Sequence, residues 1–163
     1  MIYKYEYTTP DKFDDIILLS DGEYLTGLLF TSEVPKGNYE IKELPIFLET
    51  KKYLDIYFSG KNPDFTPKYK IDNLNPFQKE VLSITKTIPF GKVLTYKNIA
   101  DKIAHNRKGK MSSQAVGGAL HVNPICIIIP CHRVIGTNNK LIGYGGGINN
   151  KKELLIHEGN YNE

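Results

Sequence analysis

The chain has only two cysteines, two methionines and four histidines in 163 residues, and no tryptophan. Two cysteines cannot build the disulfide framework of a small secreted domain. No apolar run approaches the ~20 residues that cross a bilayer, and Met1 to Pro10 lack the basic start and apolar stretch of a secretory signal. The expectation is a cytoplasmic protein without a membrane anchor. A phosphate loop of the form G-x-x-x-x-G-K-[ST] is missing, as is the dinucleotide fingerprint, so no nucleotide cofactor is expected. Neither internal repeats nor low-complexity tracts occur.

Charge is unevenly spread. Residues 1–71 carry net −3 and residues 72–163 net +6, which together give the chain's +3. A basic half suits a polyanion, although a lysine-rich solvated surface would look the same by charge alone.

The acidic half reads as a small α/β scaffold. Ile2 to Thr8 alternate large and polar residues as a strand does, and two apolar runs flank Asp21-Gly22 as in a β-hairpin. From Glu43 the apolar spacing changes to that of an amphipathic helix (Leu44, Phe47, Leu48, Leu54, Tyr57, Phe58), which should stop by Gly60. Residues 61–70 hold two prolines, several charges and no periodicity, and mark a linker. The expected division is 1–70 and 71–163.

The basic half opens with Asn75-Pro76-Phe77-Gln78, which combines a cap, a proline at the first helical position and a capping-box glutamine. Phe77, Val81, Ile84, Thr85 and Ile88 then supply one face. A second helix capped by Thr95 runs from Tyr96 to Ala104. The basic loop Arg107-Lys108-Gly109-Lys110 leads to a third helix from Ser112 or Ser113 to Leu120. Helix, turn and helix beside a basic loop suggest DNA recognition. The third helix carries Ala115, Gly117, Gly118 and Ala119, and two glycines cost roughly 1 kcal/mol each relative to alanine in a helix interior. Something must approach that backbone closely, either a DNA minor groove or a packed helix.

Asn123-Pro124 ends this helix, and residues 125–129 read as a buried β-branched strand leading to Pro130-Cys131-His132-Arg133. A thiol beside an imidazole and a guanidinium is a candidate nucleophile, because those neighbours raise the thiolate fraction. His121, Cys126, Cys131 and His132 could be taken for metal ligands. A strand over 125–129, however, sets the two cysteines about 16 Å apart at ~3.3 Å per residue. That spacing excludes a disulfide between them and works against their closing around one ion, so no metal is expected. Cys126 then reads as a small core hydrophobe. The glycine-rich loop from Leu141 to Gly147 lets backbone approach a ligand. A final helix, capped by Asn150 with Glu153 three residues on, reaches His157-Glu158-Gly159. A carboxylate at a helix C-terminus opposes the dipole, which hints at a functional reason for Glu158.

Five motifs in this order resemble those of the O6-alkylguanine-DNA alkyltransferases, over roughly residues 75–160. They are Pro130-Cys131-His132-Arg133-Val134-Ile135-Gly136, Ala115-Val116-Gly117-Gly118-Ala119-Leu120, Asn123-Pro124, Tyr144-Gly145-Gly146-Gly147 and Leu154-Leu155-Ile156-His157-Glu158-Gly159. The resemblance implies an RNase H-like N-terminal α/β domain and a mostly helical C-terminal domain of winged helix-turn-helix type. It implies a monomer acting on double-stranded DNA that contains O6-alkylguanine, without a cofactor or metal. The alkyl group would pass from a flipped-out base to Cys131 in a single irreversible turnover. His132, a water and Glu158 would relay the thiol proton, and Tyr96 would donate to the leaving guanine. Asn123 and Arg133 would support the site, and Gln114 with Tyr144, Gly145, Gly146 and Gly147 would bind the substrate. Ser113, Ala115, Gly117 and Gly118 would face DNA.

The family usually has an arginine just before Ala-Val-Gly-Gly-Ala, and this chain has Gln114. Glutamine lacks the charge and planar fork of arginine, so weaker base flipping or DNA affinity is expected. Two alternatives are a non-catalytic sensor of alkylated DNA, disfavoured because such proteins replace the cysteine, and a helix-turn-helix regulator.

Overall fold

The computed structural model describes residues 1–141 and 144–160; Ile142 and Gly143 of the predicted glycine-rich loop lie outside the described residues. The fold is mixed α/β, with five α-helices and a four-stranded sheet among the described residues. No described helix is long and apolar enough to cross a membrane.

The acidic half forms the sheet, from β1 (Ile2–Tyr7), β2 (Ile16–Ser20), β3 (Leu25–Phe30) and β4 (Tyr39–Ile41) in the order β3-β2-β1-β4. β1–β2 and β2–β3 are antiparallel, while β1–β4 is parallel. The β2–β3 turn forms because Asp21 Oδ1 accepts from the backbone N–H of Glu23 and Tyr24 at 2.9 and 2.8 Å, and Gly22 takes φ +110°. Helix α1 (Pro45–Phe58) has proline in its first turn and buries Ile46, Phe47, Thr50, Tyr53, Leu54 and Tyr57, the i, i+3, i+4 spacing of one face.

The basic half is mainly helical. In α2 (Pro76–Lys86) the Asn75/Gln78 capping box closes as predicted, and a second box of Thr95 and Asn98 starts α3 (Tyr96–Arg107). Lys108 stops α3 in a left-handed conformation, and Ser112 caps α4 (Ser113–His121) through the Ala115 N–H. Helices α2, α3 and α4 pack against one another. Beside them β5 (Leu94–Thr95) pairs in parallel with β6 (Val134–Ile135), and α5 (Ile148–His157) closes the described chain.

The outer edge of β3 joins the two halves. Leu25 exchanges backbone hydrogen bonds with Lys68 and Lys70, so the predicted linker lies along the sheet. Further along, the Leu28 N–H donates to Pro124 O at 2.8 Å and Leu28 O accepts from the Cys126 N–H at 3.0 Å. An edge strand with unpaired groups thereby anchors the segment that leads to Cys131.

Two expectations fail. Residues 125–129 are not a strand but a compact turn, with Ile129 N–H donating to Ile125 O and Ile128 N–H to Cys126 O at 3.0 and 2.7 Å. Ile127 takes φ +68°, a conformation that costs a β-branched residue strain of about 1–3 kcal/mol. The five residues 125–129 are all buried, so burial of the run overrides its β propensity. The second failure concerns Asn150, which does not cap α5. That helix starts earlier, behind Gly147 at φ +96°, and the Asn150 amide donates to Gly146 O (2.6 Å) and Asp14 Oδ2 (3.0 Å).

Candidate active site

Cys131 begins a short 3-10 turn that also holds His132 and Arg133, all three buried. Pro130 has φ −81° and ψ 64°, and the Cys131 N–H donates to Ile129 O at 2.8 Å, an inverse γ-turn that bends the chain before the thiol. Asn123 fixes the turn from the other side. Its amide donates to Ile129 O at 3.0 Å and to the Cys131 sulfur at 3.3 Å, while its carbonyl accepts from the Ile125 N–H.

Behind the thiol lies a fully buried polar cluster. Glu158 accepts from Arg133 Nε (2.7 Å) and Nη2 (3.1 Å), from the Tyr57 hydroxyl (2.5 Å) and from His132 Nε2 (2.7 Å). Arg133 Nη1 donates to Ile88 O at 2.7 Å. Burial alone would raise the Glu158 carboxyl; its contacts with His132 and Arg133 outweigh burial and hold it well below the usual carboxylate range. Burial lowers His132, which favours neutral imidazole. An ionised Glu158 can only accept, so the imidazole proton sits on Nε2 and Nδ1 presents a lone pair. His132 Nδ1 is buried and has no protein partner.

Cys131 lines a cavity of about 380 Å³, within the ~300–1,000 Å³ span of small-molecule sites. Tyr96, Ser113, Gln114, Gly117, Asn123, Tyr144, Gly145 and Gly146 line it as well. The structure thus brings together most of the residues singled out in the sequence. Gly118 and Ala115 lie on α4 outside the cavity wall, and Gly147 starts α5. A Cβ on Gly118 would meet nothing within 4 Å, and one on Gly117 would meet only the Tyr96 ring, at 3.8 Å. No packed helix therefore requires these glycines, which leaves the α4 backbone open to a ligand.

Gly146 is held by sterics. A Cβ there would fall 2.6 Å from Phe30 and 2.8 Å from Tyr144, and Phe30 is fully buried. Gly146→Ala is expected to cost about 1–3 kcal/mol and to displace the Tyr144 wall, seen as a lower urea midpoint together with slower reaction of Cys131.

Four contributors escaped the sequence reading. Lys151 is fully buried, its Nζ donating to the Tyr96 hydroxyl at 3.2 Å, and burial lowers it to about 8. Tyr57, from the other half, bonds Glu158. Glu33 follows β3 and reaches the cavity beside Gly145. The fourth is Cys126, which interacts directly with Cys131 and lines the same cavity, so the predicted 16 Å separation is wrong. The turn at Ile127 removes the strand on which that figure rested. Among the described residues no three His, Cys, Asp or Glu side chains converge as metal ligands. Lys151 and Tyr57 each occupy an apolar-face position of a helix, the only signal their sequence offered.

The thiol itself is activated. The neighbouring Cys126 thiol lowers Cys131 most, burial opposes, and the Asn123 amide and the Lys151 charge act in the same direction as Cys126, leaving it at about 7. Tyr96 is raised to about 12 by burial and by its nearness to Cys131, so its hydroxyl keeps its proton.

Residues 76–160 match the family described as 6-O-methylguanine DNA methyltransferase, DNA binding domain. The chain is 40% identical over 149 residues to the methylated-DNA–protein-cysteine methyltransferase of Methanosarcina acetivorans, covering 88% of this chain and 91% of that protein. It is 43% identical over 128 residues to the protein of the same name from Methanosarcina barkeri, covering 78% and 77%. The crystal structure of the Mycobacterium tuberculosis O6-methylguanine methyltransferase superposes with a TM-score of 0.82 at 33% identity, over 97% of this chain and 93% of that one. The Mycobacterium tuberculosis OGT in complex with DNA gives 0.80 at 33% identity, over 96% and 91%. Fold and site together define a thiol-nucleophile protein with an open cavity over the sulfur. The chain belongs to the methylated-DNA–protein-cysteine methyltransferase family.

Proposed function

We propose that this protein repairs O6-alkylguanine in double-stranded DNA by moving the alkyl group irreversibly to Cys131. The observation that carries the reading is the Cys131 sulfur, activated by Cys126, Asn123 and Lys151, in a cavity backed by the His132–Glu158–Arg133 cluster. A base must leave the stack to reach a buried thiol, and the cavity lies beside α4, whose backbone is open at Gly118.

In this mechanism the Cys131 proton passes through a water to His132 Nδ1, and Glu158 steadies the imidazolium. The thiolate then attacks the alkyl carbon, a C–S bond forms and the C–O6 bond breaks, its electrons going to the guanine. The Tyr96 hydroxyl donates a hydrogen bond to the departing base. Lys151 donates to that hydroxyl oxygen at 3.2 Å and so holds the Tyr96 side chain at the cavity wall. A thioether is a poor leaving group, so each molecule reacts once. Tyr144, Gly145 and Gly146 form a wall for the base, Gly147 sets the start of α5, and Ser113, Ala115, Gly117 and Gly118 meet DNA.

The proposed architecture is an RNase H-like unit, residues 1–70, and a winged helix-turn-helix unit, residues 71–163. The second is supported by the mutual packing of α2, α3 and α4 beside the β5–β6 pair. A cytoplasmic monomer fits a site whose proposed groups all come from one chain.

Duplex DNA bearing radiolabelled O6-methylguanine tests the reading. Label is expected to reach the protein, stop at one equivalent and vanish in Cys131→Ala. Binding without transfer would instead favour an alkyl-DNA sensor, and sequence-specific binding to undamaged DNA a regulator. Gln114 lies at the cavity with its side chain on α4, and Gln114→Arg is expected to accelerate repair of duplex substrate several-fold. An equal rate in the variant would remove Gln114 as the cause of weak flipping.

A further inference from the structure

Cys126 forms and breaks no bond in the proposed transfer, yet its side chain lines the cavity that holds the acceptor. Two features put it there. The Cys126 N–H is tied to Leu28 O on the edge of β3, and the chain then reverses through Ile127 at φ +68° and Pro130 at φ −81°. These bends cancel the extended spacing and bring both side chains to the wall of one cavity, with Cys126 4% and Cys131 6% exposed. A residue that served only as a core hydrophobe would not need to border the cavity, and a strained isoleucine is a cost to that arrangement.

We propose that Cys126 is a resolving thiol, which closes a reversible Cys126–Cys131 disulfide after a hydroperoxide has oxidised Cys131 and so shelters the alkyl acceptor from permanent loss. In the first step the Cys131 thiolate attacks a peroxide oxygen. An S–O bond forms, the O–O bond breaks, and the departing hydroxide takes a proton to leave as water. In the second step the Cys126 sulfur attacks the Cys131 sulfenic acid. The S–S bond forms, the S–O bond breaks, and the Cys126 proton accompanies the hydroxide as a second water. Two thiols lose two electrons and one peroxide gains them.

The chemistry favours this pair. A cysteine poised near neutral pH is the one that peroxide reaches first, and the open cavity admits so small an oxidant. Without a neighbouring thiol the sulfenic acid would proceed to sulfinic acid, which ordinary thiols do not reverse. For a protein that uses each cysteine once, that loss would be equivalent to a spent molecule. The proposal rests on Cys131 as the acceptor for its consequence, but its chemical signature does not.

The test treats the full chain with a small excess of hydrogen peroxide, then measures intact mass, free thiols and alkyl transfer before and after a phosphine reductant. The expected wild-type result is a mass loss of about 2 Da, disappearance of two thiols, at least a tenfold loss of transfer, and recovery to near the untreated rate. Cys126→Ala and Cys126→Ser, each scored against its own untreated rate, are expected to gain about 32 Da on the Cys131 peptide and to recover less than a tenth of their transfer. Wild type that gains about 32 Da at Cys131 with no lighter species would overturn the proposal. So would disulfides between chains, or recovery in the serine variant equal to wild type. A mass loss of about 2 Da with two thiols gone supports the disulfide even in a protein that transfers no alkyl group, so the two readings fail separately.

Discussion

Replacing Glu158 by glutamine is expected to slow alkyl transfer at least a hundredfold and to lower stability by about 3–5 kcal/mol. The side chain is fully enclosed and carries four contacts, two from Arg133 and one each from Tyr57 and His132. An amide has one acceptor oxygen and must turn its NH2 toward at least one donor. Arg133, also buried, would then lack a counter-charge. The kinetic loss has a separate origin: a neutral partner no longer fixes the His132 proton on Nε2 or stabilises imidazolium, so Nδ1 ceases to be a dependable base. Single-turnover transfer and urea unfolding measure the two effects, and a variant that loses stability at full rate would remove His132 from the proton path.

The same carboxylate dictates an acid limit. Its folded pKa is depressed, so the stability it contributes is complete above the ~4.3 of an unfolded glutamate and is lost as pH falls below that toward the folded value. Protonation at still lower pH would break the link between α1, the Cys131 turn and the end of α5 in one step.

The second large effect is the pH dependence of transfer. With Cys131 lowered to about 7, the rate constant at subsaturating DNA should rise about tenfold per pH unit below that value and level off by about pH 8. At pH 6 such a thiol is about one part in eleven thiolate, against about one in three hundred for an unperturbed cysteine of pKa ~8.5. Lys151→Met deletes the nearby cation and is expected to move the inflection upward while leaving the alkaline plateau within a few-fold. A profile still climbing steeply at pH 9 in the wild type would contradict the activated thiol. Both measurements use the same radiolabelled duplex.

How much of this could be read from the residues varies with the distance over which each signal acts. The capping box at Asn75/Gln78, the Thr95 cap and the Asp21-Gly22 turn depend on neighbours within three residues, and they form as written. The Pro-Cys-His-Arg segment marked the nucleophile because adjacent residue types alone change a thiol's acidity. By contrast, the apolar run 125–129 looked like a strand because local propensity favours one. Its actual path is chosen by Leu28 on the edge of β3 and by burial of all five side chains, which are long-range terms. Asn150 has the chemistry of a cap, but Asp14, far away in sequence, claims its amide and Gly147 starts the helix before it.

What the sequence determined by itself is therefore the set of reactive groups, the helices that carry their own caps, and membership in an alkyl-accepting family through motifs in order. What only the tertiary structure decided is which of those groups meet. Tyr57 reaches Glu158 across 101 residues of chain, Lys151 is driven into the site against its own desolvation, and Cys126 is folded back onto Cys131. The reason is physical: caps and turns close through bonds a few residues long, whereas the packing that bends residues 125–131 acts between elements that the linear order keeps apart.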